Sequence, residues 1–150
     1  MSLLFIDTSA LAKRYLIEAG APWVGRLTHP AAGNVIIIAD VTTVEMSALL
    51  ARRVREGTLP QASATLLLNA FLLHIESEYL SVPLDTHVLA QARALVGRHP
   101  LRTLDAIQLA SAQRASIVLS EPLTFITSDH NLLAAANAEG LPTDDPLVHP

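Results

Sequence analysis

Four short apolar runs punctuate the 150-residue chain, and a helical pattern follows each of them. They are Leu3–Ile6, Asn34–Ala39, Glu78–Val82 and Thr124–Thr127. Each is strand-length and bounded by polar residues. The first is apolar throughout and the second is so after Asn34, as strands buried on both faces are. Hairpin signals are absent, and the stretches between the runs are long enough for crossover helices. That alternation constrains the fold to α/β, with a parallel sheet covered on both faces. Right-handed crossovers then bring the starts of the helices that follow strands to one edge of that sheet.

The helical stretches have recognisable ends. Thr8 to about Ile17 reads as a helix closed by Gly20, and Pro22 opens a short one to about Leu27. Thr42-x-x-Glu45 has the pattern of a capping box, with the helix running to about Arg55 and Gly57 after it. Pro60 precedes a helix from Gln61 to about Ile75 that is apolar on more than one side, as a helix buried in its own domain or against a partner would be. Asp85 reads as the N-cap of a helix from Thr86 to about Val96, and Thr103 as the N-cap of one running to about Ser116. Leu132 to about Glu139 forms the last helix, closed by Gly140. The tail Leu141–Pro150 holds three Pro and two Asp, with room for a short edge strand.

Composition excludes several functions. There is no Cys, so disulfides, thiolate metal sites and thiol nucleophiles are ruled out. This agrees with a cytoplasmic location, as does an N-terminus without a signal-peptide pattern. The longest stretch free of Asp, Glu, Lys and Arg, Gly57–Ile75, contains Pro60, Gln61, Asn69 and His74 and is not a membrane span. With 51% hydrophobic and 16% charged residues the chain is not disordered. Repeats and linkers are absent, so residues 1–150 read as one domain. The net charge of −4 means that any nucleic-acid contact must rest on a local basic track.

Asp7, Glu45 and Asp129 each follow a predicted strand within a few residues, and Asp105 opens a helix. Capping or the helix dipole accounts for each carboxylate singly. Several at one sheet edge are a different matter, because like charges repel and raise one another's pKa unless a cation lies among them. An oxygen-only donor set suits Mg²⁺ or Mn²⁺.

The same residues carry a resemblance. Ile6-Asp7-Thr8-Ser9-Ala10-Leu11, Thr43-Val44-Glu45, Leu104-Asp105-Ala106-Ile107-Gln108-Leu109-Ala110 and Thr127-Ser128-Asp129 resemble the four acidic motifs of PIN-domain nucleases, in the family's order and spacing. Lys13-Arg14-Tyr15-Leu16-x-Glu18-x-Gly20 is similar to the VapC toxin ribonucleases of VapBC toxin–antitoxin pairs. The likeness spans Leu3 to Leu141. Gln108 departs from it, standing where such toxins often carry His, and the residues before Thr124 are looser than usual.

The resemblance implies a three-layer α/β/α domain with a central parallel sheet of four to five strands. It implies a divalent-metal site of Asp7, Glu45, Asp105 and Asp129, with a hydroxyl of Thr8, Ser9 or Ser128 orienting a carboxylate or a metal-bound water. The implied reaction is hydrolysis of single-stranded RNA to 3′-hydroxyl and 5′-phosphate ends without a covalent intermediate. Lys13, Arg14, Arg52 and Arg102 are the candidates for holding the RNA backbone. The implied partners are a small VapB-like antitoxin and a second copy of the chain, with the Gly57–Ile75 segment contributing to the dimer.

Two other readings compete. A haloacid-dehalogenase-like phosphatase also begins strand–Asp, but needs a second carboxylate two residues on, where this chain has Ser9. A PIN-like module that binds RNA or protein without cleaving is expected to have lost at least one of the four carboxylates.

Overall fold

A computed structural model describes residues 1–149; Pro150 lies outside the described residues. Five strands form one parallel sheet: β1 Leu3–Ile6, β2 Val35–Ala39, β3 Tyr79–Val82, β4 Thr124–Ile126 and β5 Thr143–Asp144. Their order is β3-β2-β1-β4-β5. The chain therefore winds outward from β1 to β3, then returns to the other side of β1 to lay down β4 and β5. In a doubly wound sheet that reversal opens a crevice at the carboxyl ends of the two strands where it occurs. Here they are β1 and β4, paired Leu4 to Thr124, Phe5 to Phe125 and Ile6 to Ile126. The anticipated tail strand is β5, which pairs with β4.

The helices are α1 Thr8–Leu11, α2 Ala21–Thr28, α3 Val41–Arg55, α4 Gln61–Ser77, α5 Thr86–Arg98, α6 Thr103–Leu119 and α7 His130–Ala138. Alternation along each strand splits the core into two. Leu4 and Ile6 of β1 and Ile36 and Ile38 of β2 pack with Met46, Leu50 and Phe71 of α3 and α4 on one face. Phe5, Ile37 and Phe125 pack with Val88, Leu95, Leu109 and Leu132 of α5, α6 and α7 on the other. Phe5 and Phe125 stack across the β1–β4 pair at 5.5 Å. The three layers are thus helix, sheet and helix.

Three local expectations change. The first helix stops at Leu11 and tightens into a 3-10 turn at Ala12–Arg14. Helix α3 starts at Val41, after Asp40 in helical geometry, so Thr42 is its second residue and no capping box forms. Helix α6 is capped at Arg102, which makes Thr103 its first residue and leaves Asp105 in the first turn as expected. Among the described residues no helix is long and apolar enough to cross a membrane.

Candidate active site

Asp7 is the first residue beyond β1, and its backbone N–H is tied to Ile126 O of β4 at 3.1 Å. It therefore sits on the crevice between the two strands. Its side chain caps α1, accepting from Ala10 N at 3.0 Å. Capping and site membership coincide in this one residue. The Ser9 hydroxyl lies 2.8 and 3.0 Å from the two oxygens, and Thr127 Oγ1 donates to Oδ2 at 2.7 Å. Asp7 is only 4% exposed. Burial pushes its pKa up to about 6, with a smaller push from Glu45, against the pull of the Thr127, Ala10 and Ser9 donors.

Glu45 comes to the crevice from α3, one turn in from the end of β2. Its Oε1 accepts from Thr8 Oγ1 at 2.9 Å and from Gln108 Nε2 at 2.7 Å. Asp105, in the first turn of α6, has its pKa raised by burial and by Asp129, with Arg102 opposing. Asp129 caps α7 through Leu132 N at 2.9 Å. Arg102 Nε is 3.5 Å from Asp105 and Nη2 is 3.7 Å from Asp129, so this exposed guanidinium spans the two carboxylates. All four carboxylates line one cleft of about 370 Å³, together with Thr8, Ser9, Gln108, Arg52 and Arg102.

Other predicted residues lie differently. Lys13 is buried against Glu18 at 3.1 Å, and Arg14 reaches Glu78 at 2.8 Å and Tyr79 at 2.7 Å. Neither lines the cleft. Both were expected there as RNA contacts because Arg14 is two α-helical turns from Asp7. The 3-10 turn breaks that register, and two carboxylates outside the cleft draw the side chains away. Of the four basic candidates, the cleft has Arg52 and Arg102. Of the hydroxyls of Thr8, Ser9 and Ser128, that of Thr8 reaches Glu45 and that of Ser9 reaches Asp7, while Ser128 Oγ is buried without a partner. Its neighbour Thr127 also reaches Asp7, through the alternation that continues from β4. Thr42 and Gln108 were not foreseen as polar partners in the site. For Gln108 the available signal was a single amide within the apolar run Ala106–Ala112, all of it buried.

The donor set is hard oxygen, which fits Mg²⁺ or Mn²⁺. Among the described residues no three His, Asp or Glu side chains are gathered closely enough to hold one ion directly. Mg²⁺ suits that spacing, since it keeps several waters and binds through one or two carboxylates and substrate phosphates. Asp7 in particular is a buried acid beside Glu45, and a cation nearby would relieve both the burial and the repulsion.

The protein is a doubly wound α/β domain with an acidic cleft at its switch point. The PIN domain model matches residues 4–138, and the chain belongs to the PIN-domain family. No curated protein matches the sequence. Solved structures share the fold at low identity. The chain is similar to VapC20 of Mycobacterium tuberculosis, described as a sarcin-ricin loop cleaving toxin, at 19% identity and a TM-score of 0.66, covering 93% of this chain and 96% of that one. A toxin–antitoxin complex from Klebsiella pneumoniae matches at 18% identity and 0.62, covering 95% and 97%. FitAcB from Neisseria gonorrhoeae matches at 16% identity and 0.61, covering 98% and 99%.

Proposed function

We propose that this protein is a Mg²⁺- or Mn²⁺-dependent endoribonuclease that hydrolyses phosphodiester bonds in single-stranded regions of RNA. It acts in the cytoplasm as the toxin of a toxin–antitoxin pair. The observation that carries this reading is the convergence of Asp7, Glu45, Asp105 and Asp129 on one cleft at the β1–β4 crevice. Family membership supports hydrolysis of nucleic acid, and the toxins among the similar folds support the biological role.

The four carboxylates would hold the cation, one or two directly and the others through its waters, and the cation would supply a bound water of lowered pKa and neutralise charge growing on the phosphate oxygens. Ser9, Ala10 and Thr127 fix the orientation of Asp7. Arg52 and Arg102, at the rim, hold the RNA backbone. The same acidic cleft suits an Arg from a small VapB-like antitoxin, which would inhibit by occupying it. The test is incubation of total cellular RNA, duplex RNA and single-stranded DNA with the protein in Mg²⁺, in Mn²⁺ and in EDTA. Cleavage of single-stranded RNA in either metal and none in EDTA is expected. Cleavage unaffected by EDTA, or no cleavage under any condition, would refute it.

The basic rim makes a second expectation. In an uncleaving Asp7→Asn background, Arg52→Ala and Arg102→Ala should each lower the slope of log K against log salt by about 0.7 for single-stranded RNA. Lys13→Ala and Arg14→Ala should leave the slope alone; Arg14→Ala should cost the more stability, since it takes the guanidinium from partly buried Glu78, whereas Glu18 keeps Arg53 at 3.3 Å when Lys13 is lost. A salt series of binding isotherms separates the two pairs.

Assembly follows from α4. Its side chains Phe71 and Ala64 are buried, but Leu66, Leu72 and Leu73 are 71%, 45% and 61% exposed. The domain therefore covers only part of this apolar helix, and we assign the rest to a homodimer. Light scattering should give a dimer for the natural chain and a monomer for Leu66→Glu with Leu73→Glu. A monomeric natural chain at high micromolar concentration contradicts the assignment.

A further inference from the structure

We infer that Gln108 is the positioning residue for Glu45, holding one carboxylate oxygen so that the other faces the cleft. The inference rests on the metal-dependent reading above and concerns how that site is kept in shape. Gln108 is 2% exposed, in the second turn of α6. Its Nε2 lies 2.7 Å from Glu45 Oε1, 2.9 Å from Thr42 Oγ1 and 3.1 Å from Thr8 Oγ1. Three segments of the chain, α1, α3 and α6, thus meet on one amide nitrogen.

The orientation of that amide is informative. Turned over, its oxygen would accept from the Thr8 and Thr42 hydroxyls, but it would then face Glu45 Oε1, an acceptor against an acceptor. As placed, the nitrogen faces the carboxylate and Gln108 Oε1 is left buried with no partner. A buried polar atom without a partner is uncommon and calls for a cause. The cause here is Glu45: giving its carboxylate a donor takes precedence over satisfying the amide oxygen. Thr8 Oγ1 supplies a second donor to the same oxygen at 2.9 Å. No described residue donates to Glu45 Oε2, which is left for a hydrated cation.

An amide is suited to this task. It donates at any pH and adds no charge, whereas an imidazole in its place would titrate near neutrality and a carboxylate would repel Glu45. Gln108 thus donates to Glu45 without a change in its own protonation state.

The test is calorimetric titration of Mn²⁺ into the full chain at pH 7, with melting followed by circular dichroism. Gln108→Met keeps the volume and removes the donor. It is expected to weaken Mn²⁺ binding by about 10–100-fold, the usual effect of losing an outer-shell partner of a metal ligand. Gln108→His, which restores an N–H, should recover most of that loss at pH 7. Wild-type affinity in Gln108→Met, or no recovery with His at the same melting temperature, would overturn the proposal. If the Met variant does not fold, Gln108→Asn decides: it keeps the amide but withdraws it from Glu45 by one methylene, so weaker Mn²⁺ binding is expected, and wild-type affinity would overturn the proposal. Failure of the natural chain itself to bind Mn²⁺ would remove the metal-dependent reading first, and this inference with it.

Discussion

Asp7→Asn is expected to lower RNA cleavage by about a thousandfold or more while raising the stability of the metal-free protein at neutral pH. The two effects have one origin. Asp7 is buried, and its pKa rises from 3.8 to about 6 on folding. The folded state therefore holds the proton more tightly than the unfolded state does. The stability this lends is fully present below about pH 4 and is lost as the pH rises through about 6. A shift of that size corresponds to about 3 kcal/mol. Asn is as good an N-cap as Asp, so the Ala10 N–H keeps its acceptor.

The natural chain alone cannot show this cleanly. Glu139, held down to about 2 by Arg98 and His99, contributes in the opposite sense, with stability lost as the pH falls. The difference between Asp7→Asn and wild type isolates Asp7. In urea denaturation that difference should be near zero at pH 4 and should favour Asn by up to about 3 kcal/mol at pH 7. A variant less stable than wild type at pH 7 would mark Asp7 as a cap and nothing more.

Thr127→Val is expected to cost about 2–5 kcal/mol and to lower cleavage by about 10–100-fold. Thr127 is fully buried. Its hydroxyl donates to Asp7 Oδ2 at 2.7 Å and accepts from Asp129 N at 3.1 Å. One side chain thus ties together two of the four carboxylate positions. Val has the same shape but leaves a buried carboxylate one donor short and a backbone N–H without an acceptor. The pKa of Asp7 should rise further in the metal-free protein, which carbon-detected NMR of the carboxyl would record. Thr127→Ser keeps the hydroxyl and should restore most of the activity. Equal losses in Val and Ser would show that the methyl packing matters and the hydroxyl does not.

Much of this was legible in the chain. The strand–helix alternation rests on burial on both sheet faces, and that burial writes itself into β1 and β2 as unbroken apolar runs. Asp7 and Asp129 could be placed because a residue that ends a strand has few positions open to it. The harder residues depend on contacts distant in sequence. Gln108 and Glu45 meet across 63 positions, and Thr127 and Asp7 across 120. Nothing local distinguishes Thr127 from Ser128 as the hydroxyl that reaches Asp7; the pleat of β4 decides it. Lys13 and Arg14 were misplaced for a local reason of a different kind. A helical wheel assumes one continuous α-helix, and the switch to a 3-10 turn at Ala12 changes both rotation and rise per residue. The Thr42-x-x-Glu45 pattern misled similarly, because the helix begins at Val41, two residues too early for Thr42 to cap it.

The proposed cation site draws its four carboxylates from separate segments of the chain. Calorimetric titration of Mn²⁺ at pH 7 into wild type and into Asp7→Asn, Glu45→Gln, Asp105→Asn and Asp129→Asn tests it most directly. Saturable binding to wild type is expected, with weaker binding in all four variants, each still folded by circular dichroism. Wild-type affinity in any of the four would remove that residue from the site, and no binding to the natural chain would contradict the proposed site outright.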